Sequence, residues 1–346
     1  MKASRAPTIR DVAARAGVSI ATASNVVSGN RPVGPDSRAR VNAAIETLGY
    51  RLNRAASSLR GLSTKLVGFV VPDIANVFFA ALAQGIEELA ERDGYDLVLV
   101  SSSEDPAIER RRIEALVARR LDGLIVVPAR DDTLARFGER ALPPTVLLDR
   151  GEAGMGFDTV RAECEKGAYA ATRHLIELGH RNIALLGHGA HLANIRARIA
   201  GYERALAEAS LAQRSRICLS EPGVDRLRAS IELELHRADR PSAIFALTNH
   251  AALAAIKAAR GLGFDIPRDV SIAGFDDFDW MSALRPYLTT VAQPIDEFAT
   301  QSWRLLMRRI ADPAPSATEA IELPCALKVR ESTGPARLRL RTAASR

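Results

Sequence analysis

Two groups of residues have the types and spacing for recognition chemistry. The first is GVSIATASNVVSG, residues 17–29, where Ser19, Thr22, Ser24, Asn25 and Ser28 share one short segment that carries no charge. A core helix needs no such run of hydroxyls, and a solvated helix would carry Glu and Lys. Short hydroxyl and amide side chains suit a helix that closely approaches base edges in a major groove. There Asn25 can bond an adenine edge, and Ile20 and Ala21 can meet a thymine methyl. The second group stands at the ends of predicted strands: Asp73, Asp149, Arg150, Asn249, Asp276 and Asp277, with Arg196 and Arg198 at the start of a helix. Carboxylates, amides and arginines converging on a cleft suit a polyhydroxylated or carboxylated small molecule, whose hydroxyls both donate and accept. Phe78, Phe79, Phe275 and Trp280 can supply faces for stacking. The plainer reading of any one of these polar residues is a strand-end cap or turn former.

Catalytic signatures are missing from the sequence. There is no Walker-type loop, no GxGxxG and no HExxH, and no Ser-His-Asp set stands out by spacing. His188 and His191 in GHGAH are three residues apart, but a strand-to-loop turn explains the glycines, and a metal site wants further ligands. The expectation is a binding protein rather than an enzyme, with a small-molecule effector and with neither cofactor nor metal.

The first group needs a scaffold of short helices. Thr8 can cap a helix whose third residue, Asp11, reaches back in a capping box. Ile9, Val12, Ala13 and Ala16 then share one face. Gly17 is placed to end that helix in a left-handed conformation, and Ser19 to cap a second one that Gly29 ends. Two helices joined by a tight Ala-Gly-Val-Ser turn make the helix-turn-helix pattern. Val18, Ala23, Val26 and Val27 can pack inward. A third helix opens at Gly34-Pro35, presents Val41, Ala44, Ile45 and Leu48 to the core, and closes at Gly49. The alternative is an αα-hairpin used for protein contact.

Charge favours a polyanion. Residues 1–65 hold 11 Lys or Arg against 3 Asp or Glu, and the remaining residues are close to neutral. Arg10, Arg15, Arg31, Arg38 and Arg40 can hold phosphates around the hydroxyl-rich helix. The alternative is a solvated, Arg-rich face. In YRLNRAASSLRGLSTK, residues 50–65, Asn53 can cap a short helix over Arg54–Arg60. Alone it is too short to persist in water, so it is a candidate for folding on DNA. Asn53, Arg54, Ser57 and Arg60 would face the duplex, and Leu59 can wedge between base steps in a minor groove. Three distant cysteines, Cys164, Cys218 and Cys325, give no disulfide framework. No apolar run is long enough to cross a bilayer, and MKASRAPTIR is followed by no apolar signal region. The chain is expected in the cytoplasm.

The second group needs a different scaffold. From KLVGFVVPD (65–73) onward, apolar strands alternate with amphipathic helices in two series, which predicts two doubly wound, parallel-sheet subdomains. Ligands then bind between them, at the carboxyl ends of the strands.

The stretches TIRDVAARAGVSIATASNVVSG, RARVNAAIETLGY and NRAASSLRG resemble the head and hinge of the LacI/GalR family of bacterial transcription regulators. PDIANVFFAALAQGIE, HLIELGHRNIALLG, RIAGYERAL, IPRDVSIAGFDD and LTTVAQP extend the resemblance, in order, over nearly the whole body. It implies a recognition helix from Ile20 to Ser28, a hinge helix with Leu59 as its lever, and a body like periplasmic sugar-binding proteins. Arg198 and Asp276 match the family's effector-anchoring pair, Asn249 its usual Asn, and Asp73 and Phe79 its first cleft loop. The chain departs from the family at Ala23, Asn25, Leu52 and His250, and Ala162-Glu163 replaces a common Asp-Asn pair. The expected division is a DNA-binding domain over 1–50, a hinge and linker over 51–64, and an effector-binding and dimerisation domain over 65–346. Its subdomains are expected near 65–161 with 293–320, and 162–292 with 321–332. The implied partners are a near-palindromic double-stranded operator, a sugar-like effector and a second copy of the chain; no membrane is expected. The C-terminal ARLRLRTAASR has no leucine heptads, so a dimer is expected and no coiled-coil tetramer. The implied protein is a repressor; the competing reading is a small-molecule enzyme or binding protein with an incidental basic head.

Overall fold

The computed structural model describes residues 7–28, 31–50, 63–134, 137, 142–151, 154, 156–283, 285–312 and 317–337. The chain divides into two compact units, Met1–Thr64 and Lys65–Arg346.

Among the described residues the first unit is all-α: α1 (Ile9–Ala16), α2 (Ile20–Ser28) and α3 (Pro35–Leu48). Its start signals act as the sequence predicts. Asp11 Oδ2 accepts the Thr8 N–H at 2.7 Å, which closes the capping box. Gly17 adopts φ 62°, and this left-handed residue turns the chain out of α1. Ser19 Oγ accepts the Thr22 N–H at 3.0 Å and so caps α2. Val12, Ala13, Ala16, Ala23, Val41 and Ala44 are buried together, with Ile9, Val18, Val26, Ile45 and Leu48 around them. Val27 is only half-buried. Six small or medium side chains make a thin core, as a unit of this size must have.

The second unit holds two six-stranded sheets among the described residues. The first runs in the order β2-β1-β3-β4-β5-β11, from Leu66–Val71 (β1), Asp96–Ser101 (β2), Gly123–Val126 (β3), Thr145–Leu148 (β4), Asp158–Ala162 (β5) and Ala320–Leu323 (β11). The second runs β7-β6-β8-β9-β10-β12, from Ile183–Gly187 (β6), Arg216–Leu219 (β7), Ala243–Ala246 (β8), Ser271–Phe275 (β9), Thr289–Ala292 (β10) and Ala326–Lys328 (β12). Every pairing is parallel except β10 with β12. The two sheets thus repeat one strand order, so a residue after β4 in the first corresponds to one after β9 in the second. β1, β3, β4, β6, β8 and β9 are buried almost throughout, as strands covered on both faces must be.

Among the described residues, seven α-helices cover these sheets: α4 (Val77–Arg92), α5 (Pro106–Val117), α6 (Cys164–Glu177), α7 (Ala193–Glu208), α8 (Val224–Leu235), α9 (Asn249–Gly261) and α10 (Ile295–Ala311). Helix α6 follows β5 of the first sheet and leads to β6 of the second. α10 follows β10 of the second sheet and returns the chain to the first, where it packs on β3, β4 and β5.

Helices α6 and α7 approach each other at Gly201. A Cβ there would lie 2.2 Å from the Glu165 carbonyl oxygen and 2.8 Å from the Tyr169 backbone nitrogen. Backbone cannot yield as a flexible side chain can, so only glycine fits. Gly201→Ala is expected to cost about 2–3 kcal/mol in urea denaturation of the full chain, as overpacked cores do. An unchanged midpoint would contradict this account of the helix pair.

Candidate functional site

The carboxyl ends of both sheets form the walls of a cleft of about 340 Å³. Such a volume suits a small organic molecule. Asp149 follows β4 and Asp276 follows β9, the corresponding positions of the two sheets. Both adopt the left-handed region, with φ 62° and 74°. Non-glycine residues are costly there, and such costs concentrate at functional sites. In each case the aspartate N–H bonds a carbonyl of the next strand, Val160 or Val291, at 2.9 Å.

Arg198 stands between these carboxylates in charge terms. Its side chain is buried, its guanidinium lies 3.7 Å from the centre of the Phe275 ring, and Nη1 donates to the Leu247 carbonyl at 2.6 Å. Burial alone would lower its basicity, but the Cys164, Asp276 and Asp149 side chains outweigh that and hold Arg198 above its ordinary value. Burial pushes the Asp149 carboxyl up, while Arg150 and Arg198 pull it down. Asp276 is fully engaged: Oδ1 accepts from Gln293 Nε2 at 2.7 Å, and Oδ2 accepts from the Asn249 N–H at 3.2 Å and its Nδ2 at 3.1 Å.

Among the described residues, three hydrogen-bond sets cross from one sheet's residues to the other's. Asn249 Nδ2 donates to Asn76 Oδ1 at 2.9 Å. Asn194 Nδ2 donates to Asp149 Oδ2 at 3.0 Å. Asp131 Oδ2 accepts from the Ala193 N–H at 3.0 Å and from Arg196 Nη2 at 3.3 Å. The relation of the two halves is therefore written in side chains at the cleft itself.

The structure brings Asp73, Phe79, Asp149, Arg198 and Asp276 into the cleft wall, with Phe78 and Arg150. Asn249 is buried behind the wall and orients Asp276. Glu163 lies in an adjoining cavity of about 250 Å³, bonded to Lys166. Trp280 is elsewhere: it sits on a short 3₁₀ turn, Asp279–Ser282, and lines a separate apolar cavity with Leu253, Ile256, Met281 and Leu288. Asp277 also turns away. Burial raises its carboxyl, but bonds from Arg330, Lys328 and Thr290 outweigh that and hold it at about 2. The polar wall residues Asn76, Glu104, Asn194, Thr248 and Gln293 escape the sequence reading, and His188 enters it only as half of GHGAH. Only their place just after strands, or at a helix start, could have signalled them. His188 is held below its ordinary value by burial.

In the head, Ile20 and Ala21 are exposed on α2, and Thr22, Ser24 and Asn25 are half-buried beside them. Ile20 is 49% exposed, unusual for a large aliphatic side chain on a helix with a buried face. The Thr22 hydroxyl shares a hydrogen bond with Ser19 at 2.8 Å, and Thr8 is bound into its capping box. Arg10, Arg15, Arg31, Arg38 and Arg40 are all exposed. The Ser28 side chain and residues Asn53, Arg54, Ser57, Leu59 and Arg60 lie outside the described residues. No group of three metal-ligating side chains, and no helix long and apolar enough to cross a membrane, occurs among the described residues.

Behind the cleft, fully buried Glu109 accepts the Ala129 N–H at 2.6 Å. Burial pushes its carboxyl up to about 7 from an ordinary 4.5, despite the bonds from Ala129 and Thr133 and the charge of Arg150. The folded state then holds this proton more tightly than the unfolded state. Stability from this group is full below pH 4.5 and is lost as pH rises through about 7. Glu109→Gln is expected to flatten that fall, roughly 3 kcal/mol in all, when urea denaturation is compared at pH 5 and pH 8. Equal slopes in both proteins would contradict it.

Comparison with known proteins agrees with this geometry. Residues 8–53 match the bacterial regulatory proteins of the lacI family, and residues 172–333 match the periplasmic binding protein-like domain. The chain is 34% identical to the catabolite control protein A of Priestia megaterium over 329 residues, 94% of this chain and 99% of that one. It superposes on the lac repressor dimer bound to operator and the anti-inducer ONPF with a TM-score of 0.85 and 26% identity, over 95% of this chain and 100% of that one. A LacI family transcriptional regulator from Enterococcus faecium with bound ribose gives a TM-score of 0.72 at 29% identity, over 79% of this chain and 100% of that one. With a helix-turn-helix unit before two parallel-sheet halves, the chain belongs to the lacI family of bacterial transcription regulators.

Proposed function

We propose that the protein is a repressor whose affinity for a near-palindromic operator is set by a sugar or sugar derivative held in the cleft of the body. The carrying observation is the cleft wall: Asn76–Asn249 and Asp149–Asn194 join its two sides at the place where a ligand would bind. A ligand that strengthens or replaces these bonds changes the relation of the halves, and a two-state device responds in proportion to that differential affinity. The ribose-bound relative supports a sugar-like effector, and the operator-bound lac repressor dimer supports a homodimer reading DNA with two heads.

In this reading residues 1–50 bind DNA, 51–64 form the hinge and linker, and 65–346 bind effector and partner subunit. Within the last, 65–161 with 293–320 and 162–292 with 321–332 make the two subdomains. Ile20, Ala21, Ser24 and Asn25 read base edges, while the exposed arginines hold phosphates and set the salt dependence. Leu59 acts as the minor-groove wedge. The protein works in the cytoplasm, where the DNA is.

Removing residues 1–64 is expected to abolish DNA binding in a gel-shift assay and to leave ligand binding intact by calorimetry. Ligand binding lost together with the head would contradict the division of labour. In the full chain, Arg198→Ala is expected to abolish the effect of effector on DNA binding while DNA binding itself survives. An effector titration identical to that of the parent would remove Arg198 from the site.

A further inference from the structure

The charge and hydrogen-bonding balance of the cleft wall specifies its ligand more narrowly than "sugar-like". Four carboxylates, Asp73, Glu104, Asp149 and Asp276, and two guanidiniums, Arg150 and Arg198, line it. Glu104 neutralises Arg150 through two bonds, Nη1 to Oε2 at 2.8 Å and Nη2 to Oε1 at 2.9 Å. Asp73, Asp149 and Asp276 then remain against Arg198 and the Nε edge of Arg150, which lies 3.8 Å from Asp149 Oδ2.

The unpartnered polar atoms point the same way. Among the described residues, Asp149 Oδ1, Asn194 Oδ1 and Gln293 Oε1 are buried in this wall with no hydrogen-bond partner, against two donors, Arg150 Nε and Arg198 Nε, of which Arg150 Nε already faces Asp149 Oδ2 at 3.8 Å. The two amides are oriented by their neighbours. Asn194 Nδ2 donates to Asp149 and Gln293 Nε2 donates to Asp276, so the free end of each is the acceptor oxygen. A buried acceptor without a donor costs free energy, and a ligand that supplies the donor recovers it. An anionic group supplies none and meets carboxylates instead.

We propose that the cleft selects a polyhydroxylated effector that carries no anionic group, either neutral or bearing an ammonium, and rejects its carboxylated and phosphorylated counterparts. Hydroxyls or an ammonium of the ligand bond Asp149, Asn194 and Gln293, and a ring oxygen or hydroxyl accepts from Arg198. This rests on the effector reading of the cleft given above.

The test is a matched panel offered to the full chain and read by thermal shift, then by calorimetry. Glucose, galactose, mannose and ribose are each presented as the neutral sugar and as its amino, acid (uronic or aldonic) and terminal-phosphate derivatives. Stabilisation is expected from neutral or amino forms only, with the acid and phosphate of any such sugar at least tenfold weaker. An acid or phosphate that binds as tightly as its neutral parent overturns the inference and leaves the effector reading standing. Silence from all four forms counts against the effector reading itself, and the inference falls with it. Asp149→Asn is expected to shrink the ratio of neutral to acidic affinity at least tenfold, because it removes a carboxylate and introduces a donor. The ratio reports on selectivity even if the variant is less stable, and an unchanged ratio overturns the assignment of Asp149.

Discussion

The body is organised around a buried guanidinium. Arg198 cannot stand in the interior without compensation, because an unpaired buried charge is among the most costly features a fold can carry. Compensation comes from several sources at once: the Phe275 face, the Leu247 carbonyl, and the charges of Asp149 and Asp276. Asp149 ends a strand of the first sheet and Asp276 a strand of the second, so the electrostatic requirement of one side chain ties together residues of both halves. The close approach of α6 and α7 at Gly201, one turn along from Arg198, fixes the helix that carries it.

That arrangement explains why the two aspartates share an unfavourable backbone conformation. Each must leave its strand and turn its carboxylate into the same cleft, and the left-handed φ achieves this in one residue. Because the two sheets repeat one strand order, the same local solution appears twice. A ligand in the cleft enters a site already balanced between attraction and strain. Small changes in donor count or charge then become changes in how the halves are held. In a chain that also carries a helix-turn-helix unit, this is what the proposed ligand-dependent regulation rests on.

Much of this is legible in the sequence, for identifiable reasons. The caps of the head are local chemistry: Thr8 with Asp11, Gly17 and Ser19 act within four residues of themselves, so spacing alone reveals them. Strand-end positions are legible because buried parallel strands are unbroken apolar runs, and the first polar residue after each marks the cleft. Asp149 and Asp276 are found that way. What spacing cannot reveal is direction. Asp277 is adjacent to Asp276 yet turns to Arg330 and Lys328, far along the chain. Trp280 follows four residues later and is carried by a 3₁₀ turn into another cavity. Asn194 and Gln293 are invisible for the converse reason: each is an ordinary polar residue until the fold places it against an aspartate. Helix α10 buries Phe298, Trp303, Leu305 and Leu306 along one stripe, the helical spacing that amphipathic alternation implies.

The most direct measurement is selection of bound sequences from a random duplex pool by the purified full chain, at stated salt, with and without a metabolite mixture. A two-fold symmetric sequence is predicted to be enriched, with a flexible pyrimidine–purine step at its centre, and its recovery is predicted to change when the mixture is present. No enrichment under either condition would contradict the account of the head. Enrichment that the mixture leaves untouched would contradict the account of the cleft.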